Sequence, residues 1–127
     1  MEINTHRKID PLLCGRPVEL KAGYSRVEMV CEACMAADEK GLVHGGFIFG
    51  LADYAAMIAV NHPNVVLGGA NSRFLKPVSV GETITAEARL TETSGRRHTV
   101  AVSVEREGEG VFNGQFTCFV LEAHVLE

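Results

Sequence analysis

One stretch near the middle of the chain, GLVHGGFIFGLADYAAMIAV, limits what this sequence can fold into. Between Gly41 and Val60 it holds a single charged side chain, that of Asp53. The spacing of its apolar residues predicts a helix from about His44 to Val60, and most other positions of that helix are apolar as well. A helix that is apolar almost all round is buried on most sides, so we expect the rest of the chain to enclose it.

Alternating polar and apolar residues predict about five strands around this helix. One of them, YSRVEMVCEA, comes before the helix, and four come after it: VVLGGANSRFL, TITAEARLT, HTVAVSVER and GVFNGQFTCFVLEA. Turn sequences rich in glycine and polar residues separate the last three strands, which predicts a meander of antiparallel hairpins. We therefore expect a single α+β domain over residues 1–127, with its core at about 20–123, in which a curved antiparallel sheet wraps around one long central helix.

The edges of that sheet lead us to expect an oligomer. An edge strand presents unpaired backbone N–H and C=O groups, and pairing with a second copy of the chain satisfies them. A homodimer, or a tetramer built from two such dimers, is the resulting expectation.

Charge and composition argue against several classes of function. A net charge of −4 disfavours a general binder of nucleic acid or of membrane surfaces, which would carry a basic excess. The apolar run contains Asp53 and falls short of the roughly 20 apolar residues that span a bilayer. The first twenty residues lack the apolar segment of a signal peptide, so we expect a cytoplasmic protein. We expect no metal site, and the histidines without metal-ligand spacing should lie at the surface: His6, His62, His98 and His124.

Two motifs stand out around and after the predicted helix. The first is HGGFIFGLAD, in which Asp53 follows His44 by nine residues, and the second is RFLKPVSVGE. With them the chain resembles, over roughly residues 38–120, the hot-dog-fold acyl-CoA thioesterases of the phenylacetic-acid-degradation type, which are related to the 4-hydroxybenzoyl-CoA thioesterases. The resemblance implies that Asp53 is the general base or nucleophile. It also implies that the Gly45 backbone N–H, with Gly46 nearby, polarises the thioester carbonyl, and that His44 shapes the site.

The chain departs from that family at two positions. Relatives often have Asn or Gln six residues before the His, contacting the thioester oxygen, where this chain has Asp38. Relatives also place Thr or Ser one turn after the acid, where this chain has Met57, or on the following strand, where the stretch LGGA obscures the matching position. A carboxylate beside the developing oxyanion opposes its charge, so polarisation falls mostly on Gly45 unless Asp38 is protonated or turned away. A non-catalytic acyl-CoA binder therefore stays open as an alternative, as does, with less support, an acyl-thioester hydratase or dehydratase.

The spacing of the two principal residues adds a constraint of its own. Gly45 and Asp53 are eight residues apart, which is about 12 Å along one helix. They cannot both contact the same thioester, so if both act they come from two copies of the helix across a dimer interface.

The substrate is expected to be a coenzyme A thioester with an aryl or short- to medium-chain acyl group, and no other cofactor is expected. Aromatic and apolar helix residues are candidates for the acyl pocket, and cationic or polar residues beyond the helix are candidates for the rest of the substrate. The first set is Phe47, Phe49, Tyr54 and Met57, and the second is Asn71, Arg73, Lys76, Arg96 and Arg97.

Overall fold

Two α-helices and six strands follow one another along the chain. The computed structural model describes residues 1–127. In chain order its elements are α1 (Pro11–Cys14), β1 (Arg16–Lys21), β2 (Tyr24–Val30), a 3₁₀ turn (Ala33–Met35), α2 (Gly45–Val60), β3 (Val65–Phe74), β4 (Thr83–Ser94), β5 (Arg97–Arg106) and β6 (Glu109–Val120).

All six strands form one antiparallel sheet in the order β1-β2-β4-β5-β6-β3. Strands β4, β5 and β6 are neighbours, which confirms the predicted meander. Strand β3 comes before them in the chain but pairs with β6 on the far side. As a result β1 and β3 are the two edges of the sheet.

The core lies between α2 and one face of the sheet. The helix buries residues on nearly all sides, as its composition predicts. The sheet contributes alternate side chains from its inner face, and buried Ser25 of β2 donates a 2.6 Å hydrogen bond to the carbonyl of Ala55 in the helix. The largest fully buried side chains are Phe112, Phe116, Met35, Leu51, Met57, Ile58 and Ile84. No helix is long and apolar enough to cross a membrane.

The sheet has six strands rather than the five predicted, because the alternation of polar and apolar residues does not identify β1. This strand, RPVELK, contains Pro17 and mixes charged with apolar residues, and none of its side chains is fully buried. Proline is tolerated in a sheet mainly on an edge strand, where a ladder hydrogen bond is not required of it. The pairing with β2 is irregular between Pro17 and Glu19, so the two-residue alternation that identifies a strand is absent.

Candidate active site

The start of α2 presents one backbone amide without a partner. His44 is the N-cap, and its Nδ1 accepts a 2.9 Å hydrogen bond from the Gly46 N–H. Because Nδ1 accepts, the proton of the neutral ring sits on Nε2. The N–H of Gly45, the first residue of the helix, has no hydrogen-bond partner in the fold. Of the two glycines named by the sequence, only Gly45 therefore has its amide free for a ligand.

A shallow apolar depression borders this free amide. We call it the Gly45 groove; its volume is about 270 Å³, and its lining comprises Leu42, Val43, Gly45, Ile48, Phe74, Leu75, Lys76, Pro77 and Val78. The side chains of Phe74 and Leu75 are about half exposed, at 54% and 48%. A Cβ atom at Gly45 would lie 3.0 Å from the Phe74 ring. Glycine therefore keeps the helix start open beside an exposed apolar surface.

Asp53, in the middle of α2, carries the other unpartnered group. The residue is half-buried, and its Oδ1 atom is fully buried without a hydrogen-bond partner. No salt bridge reaches the carboxylate. Burial raises the pKa of Asp53 to about 6, because desolvation disfavours the charged form. A carboxylate of this kind is a stronger base near neutral pH than an exposed one.

Asp53 opens into a second depression, which we call the Asp53 cavity. Its volume is about 410 Å³, and its lining comprises Thr5, His6, Asp53, Pro63, Asn64, Val65, Val66, Leu67, His124 and Val125. The N-terminal segment is held there by Asn61, the left-handed C-cap of α2. The Asn61 Oδ1 accepts a 2.7 Å hydrogen bond from the Asn4 N–H, and its Nδ2 donates one of 2.7 Å to the Glu2 carbonyl. The end of the helix thus holds the start of the chain against the cavity.

The two depressions share no residue. Gly45 lines only the groove and Asp53 lines only the cavity, as their separation along the helix leads one to expect. A single chain therefore does not bring the free amide and the unpaired carboxylate to one point.

Asp38 uses its carboxylate within its own loop. The Asp38 Oδ1 accepts hydrogen bonds from the backbone N–H groups of Lys40 at 2.9 Å and of Leu42 at 3.1 Å. This Asx-type arrangement closes the loop that leads into α2. The carboxylate oxygen is thereby engaged by backbone rather than left free beside the helix start.

The candidates for the acyl pocket divide between the core and the surface. Met57 is fully buried, and it lines neither the Gly45 groove nor the Asp53 cavity. Tyr54 is 5% exposed and lines a third depression, together with residues of the N-terminal segment. Phe47 is half-buried and meets the His44 ring edge-on, with 6.3 Å between the ring centroids. Phe49 packs against Phe116.

Most of the candidate cations are paired on the surface. Lys76 Nζ lies 2.8 Å from Glu109, Arg97 lies 3.5 Å from Glu92, and Arg96 pairs with Glu122. Exposed pairs of this kind exchange readily with another anion, since each contributes little to stability. Lys76 is the one that borders the Gly45 groove. Arg73 forms no salt bridge, and it lies with Asn71 on the exposed part of edge strand β3.

We expected His6, His62, His98 and His124 at the surface, and this was wrong for two of them, since His6 and His98 are half-buried. His6 also lines the Asp53 cavity. Its backbone has a φ of 54°, in the left-handed region that non-glycine residues seldom adopt. Thr5, Asn64 and His124 line the same cavity and were also not predicted. They come from the two ends of the chain and from a loop, where no periodic pattern marks them. The hydrogen bonds of Asn61, together with the packing of Ile3 and Ile9 against the core, hold the first segment at the site.

Comparison with known proteins provides the family. The model of the thioesterase superfamily matches residues 40–112. An uncharacterized protein from Pyrococcus horikoshii is 53% identical, with a TM-score of 0.99 over 100% of this chain and 98% of that one. A mutant of the phenylacetic acid degradation protein PaaI from Thermus thermophilus is 30% identical, with a TM-score of 0.79 over 86% of this chain and 95% of that one.

One curated relative carries a different name. The chain is 50% identical over 123 residues to a methylthioribose-1-phosphate isomerase of Aquifex aeolicus (strain VF5), a match that covers 96% of this chain and 27% of that protein. More generally, the chain spans between 27% and 64% of the length of the first curated relatives it matches.

Proposed function

Since this chain belongs to the thioesterase superfamily and has its hot-dog fold, we propose that it hydrolyses acyl-CoA thioesters to the free acid and CoA in a site made by two subunits. The observation that carries the proposal is the buried Asp53 oxygen without a partner, which faces no cation and opens into a cavity. An unpaired buried carboxylate lowers stability, so its presence favours a role in chemistry over a role in folding.

In the proposed reaction the Gly45 amide of one subunit binds the thioester oxygen, and Asp53 of the other subunit acts at the thioester carbon. As a general base, Asp53 takes a proton from water while the water oxygen bonds to the carbon and the C–S bond breaks. As a nucleophile, Asp53 bonds to the carbon and expels the thiolate, and water then opens the resulting anhydride. Both routes place negative charge on the oxygen that the helix N-terminus stabilises, and neither calls for a metal or redox cofactor.

Edge strand β3 supports the proposed dimer. Its residues Gly68, Gly69, Ala70 and Asn71 are exposed, and its outer backbone groups have no neighbouring strand. Antiparallel pairing of two β3 strands about a two-fold axis extends the sheet across both subunits. It also sets the two α2 helices side by side in opposite directions, so that the start of one helix approaches the middle of the other.

The CoA half of the substrate then follows the Gly45 groove. Its apolar lining suits the pantetheine chain, and Lys76 at the border, with Arg73 on β3, supplies positive charge for the phosphates. For the acyl half we retain the range given by the sequence, namely aryl or short- to medium-chain groups.

A mixed dimer tests whether two subunits share one site. Asp53→Asn and Gly45→Pro chains, each inactive by itself, would be co-expressed with different tags and purified through both tags. Each mixed dimer then holds one intact site and one doubly altered site, so we expect roughly half of the wild-type rate per dimer. The measurement is thiol release from acetyl-, hexanoyl-, decanoyl-, benzoyl- and phenylacetyl-CoA, with protein-only blanks because the chain has four free cysteines.

Two outcomes of this experiment would count against the proposal. A mixed dimer as inactive as its parents would show that Gly45 and Asp53 serve the same reaction from one chain, or that they serve none. A wild-type protein that is stabilised by these thioesters but releases no thiol would be an acyl-CoA binder.

The pH dependence of the rate provides a separate check on Asp53. Only the ionised carboxylate can act as base or nucleophile, and burial raises its pKa to about 6. We therefore expect kcat/KM to rise with pH, with its midpoint near pH 6, and to level off above neutrality. A profile that is flat from pH 5 to pH 8 would exclude an essential ionisation of Asp53 in that range.

A further inference from the structure

The chain passes between two depressions of the surface at His6. Thr5 lines the Asp53 cavity, Arg7 lines the depression beside Tyr54, and His6 lines both. We call the second space, between Tyr54 and the N-terminal segment, the Tyr54 depression; its volume is about 260 Å³. On the helix side, the consecutive residues Asp53 and Tyr54 line one space each. The two spaces are therefore neighbours, with His6 between them.

The His6 side chain is held inside the fold at this point. Its Nδ1 lies 2.8 Å from the Oγ1 of Thr5, which is itself only 5% exposed. Burial lowers the pKa of His6, because a shielded imidazole loses the hydration of its charged form. The Ile9 N–H donates a 3.3 Å hydrogen bond to the His6 carbonyl, and Ile3 and Ile9 pack against the core. The ring thus forms a partition between the two spaces.

The lining of the two spaces differs in character. The Asp53 cavity contains the carboxylate and further polar side chains. The Tyr54 depression has no carboxylate, and Arg7 in its lining is exposed to solvent. Apart from Arg7 and His6, its lining is aromatic, aliphatic or glycine: Ile3, Ile9, Pro11, Gly15, Pro17 and Tyr54. Such a lining suits the far end of an alkyl chain, which gains free energy by leaving water.

The charges around the site indicate which half of the substrate lies next to this partition. No Lys or Arg lines the Asp53 cavity, whereas Lys76 borders the Gly45 groove. The phosphates of CoA need positive charge nearby, so the CoA half belongs to the groove and the acyl half to the cavity. An acyl chain whose carbonyl carbon lies at Asp53 therefore extends into a space of which His6 is one wall.

Resting on the proposed thioesterase function, we propose that His6 limits the length of the acyl chain, because it separates the Asp53 cavity from the apolar Tyr54 depression. His6 is then a specificity-determining residue, and the wild-type protein acts on the shorter acyl groups of the range given by the sequence. Removing the ring joins spaces of about 410 and 260 Å³, and a longer chain then finds an apolar place for its end.

The test opens the partition with His6→Gly. Glycine adopts the φ of 54° found at this position without strain. The readout is the ratio of kcat/KM for decanoyl-CoA to kcat/KM for hexanoyl-CoA, in which a general loss of activity cancels. For the wild type we expect a ratio below one. In His6→Gly we expect the ratio to rise by about tenfold or more, as for roughly two further buried methylene groups.

Filling the Tyr54 depression tests whether the longer chain enters it. Ile3 lines that depression and not the Asp53 cavity. We expect Ile3→Phe alone to keep the wild-type ratio, and we expect it to remove most of the gain when it is combined with His6→Gly. His98→Ala is the control for loss of an imidazole, because His98 lines neither space, and it should keep the wild-type ratio.

Several outcomes would overturn the inference while leaving the thioesterase proposal intact. They are a wild type that cleaves decanoyl-CoA as efficiently as hexanoyl-CoA, a His6→Gly ratio equal to that of the wild type, a gain that Ile3→Phe does not reduce, and an equal gain in His98→Ala. If the wild type hydrolyses neither compound, the thioesterase proposal is in doubt, and the pair is compared as ligands by the rise in Tm. A rise with decanoyl-CoA, relative to hexanoyl-CoA, that is larger in His6→Gly than in the wild type would then support the partition, and an unchanged difference would refute it.

Discussion

Replacing Asp53 with Asn is expected to lower kcat for thioester hydrolysis by about a hundredfold or more, because an amide can neither accept the proton of water nor attack the thioester. The change keeps the size and shape of the side chain. The measurement is thiol release from the best substrate of the wild type, with the mass in solution compared to verify that the variant keeps the oligomeric state of the wild type. Asp10→Asn is the matched control: Asp10 caps the exposed helix α1, and Asn caps a helix equally well.

The same variant should be more stable than the wild type at neutral pH. The folded protein raises the pKa of Asp53 from 3.8 to about 6, so the folded state holds this proton more tightly than the unfolded chain does. Stability contributed by the protonated form is present at low pH and is lost as pH rises through about 6. Two pKa units correspond to about 3 kcal/mol at most.

We therefore expect Asp53→Asn to raise the free energy of unfolding by about 1–3 kcal/mol at pH 8 and by almost nothing at pH 4. Urea unfolding at both pH values, at one fixed protein concentration, measures this difference. A variant that is inactive and also less stable at pH 8 would instead indicate that the Asp53 carboxylate supports the fold. Loss of activity together with a gain in stability is the result that separates function from folding at this position.

The parts of the molecule that follow a local pattern could be predicted from the sequence. The bounds of α2 follow from its apolar run and from His44 before it, and the meander β4–β6 follows from strict alternation and clear turns. Strand β1 could not be predicted, because Pro17 and an irregular pairing with β2 remove its alternation. Its identity as a strand depends on a neighbour that the local sequence does not specify.

The candidate site divides in the same way. Gly45 and Asp53 lie on one helix at a known spacing, so the sequence alone indicates that a single chain cannot bring them together. His6 lies in a segment without periodicity. Long-range contacts hold that segment at the cavity, among them the hydrogen bonds from Asn61, more than fifty residues later, to the backbone of Glu2 and Asn4. The His44 ring already accepts the hydrogen bond of the Gly46 amide. This contact depends on the conformation of the His44 side chain, which the spacing of residues in the sequence does not determine.

The second large effect is expected at the other half of the site. Gly45→Pro removes the one free amide at the start of α2, and we expect kcat to fall by about 100- to 1,000-fold, as when an oxyanion donor is lost. Proline is well suited to the first position of a helix, where its missing N–H forms no helical hydrogen bond. His44, which precedes it, has φ −63° and ψ 132°, a conformation that a following proline accepts.

Gly45→Ala is the matched control, because it keeps the amide and adds only a methyl group. That methyl group lies 3.0 Å from the exposed Phe74 ring, which is free to shift, so we expect a raised KM and a smaller loss of kcat than in Gly45→Pro. Circular dichroism and Tm should show that both variants keep the helix. If the two variants lose activity equally, Gly45 matters because its lack of a side chain leaves room for the substrate. The oxyanion must then be stabilised by another group.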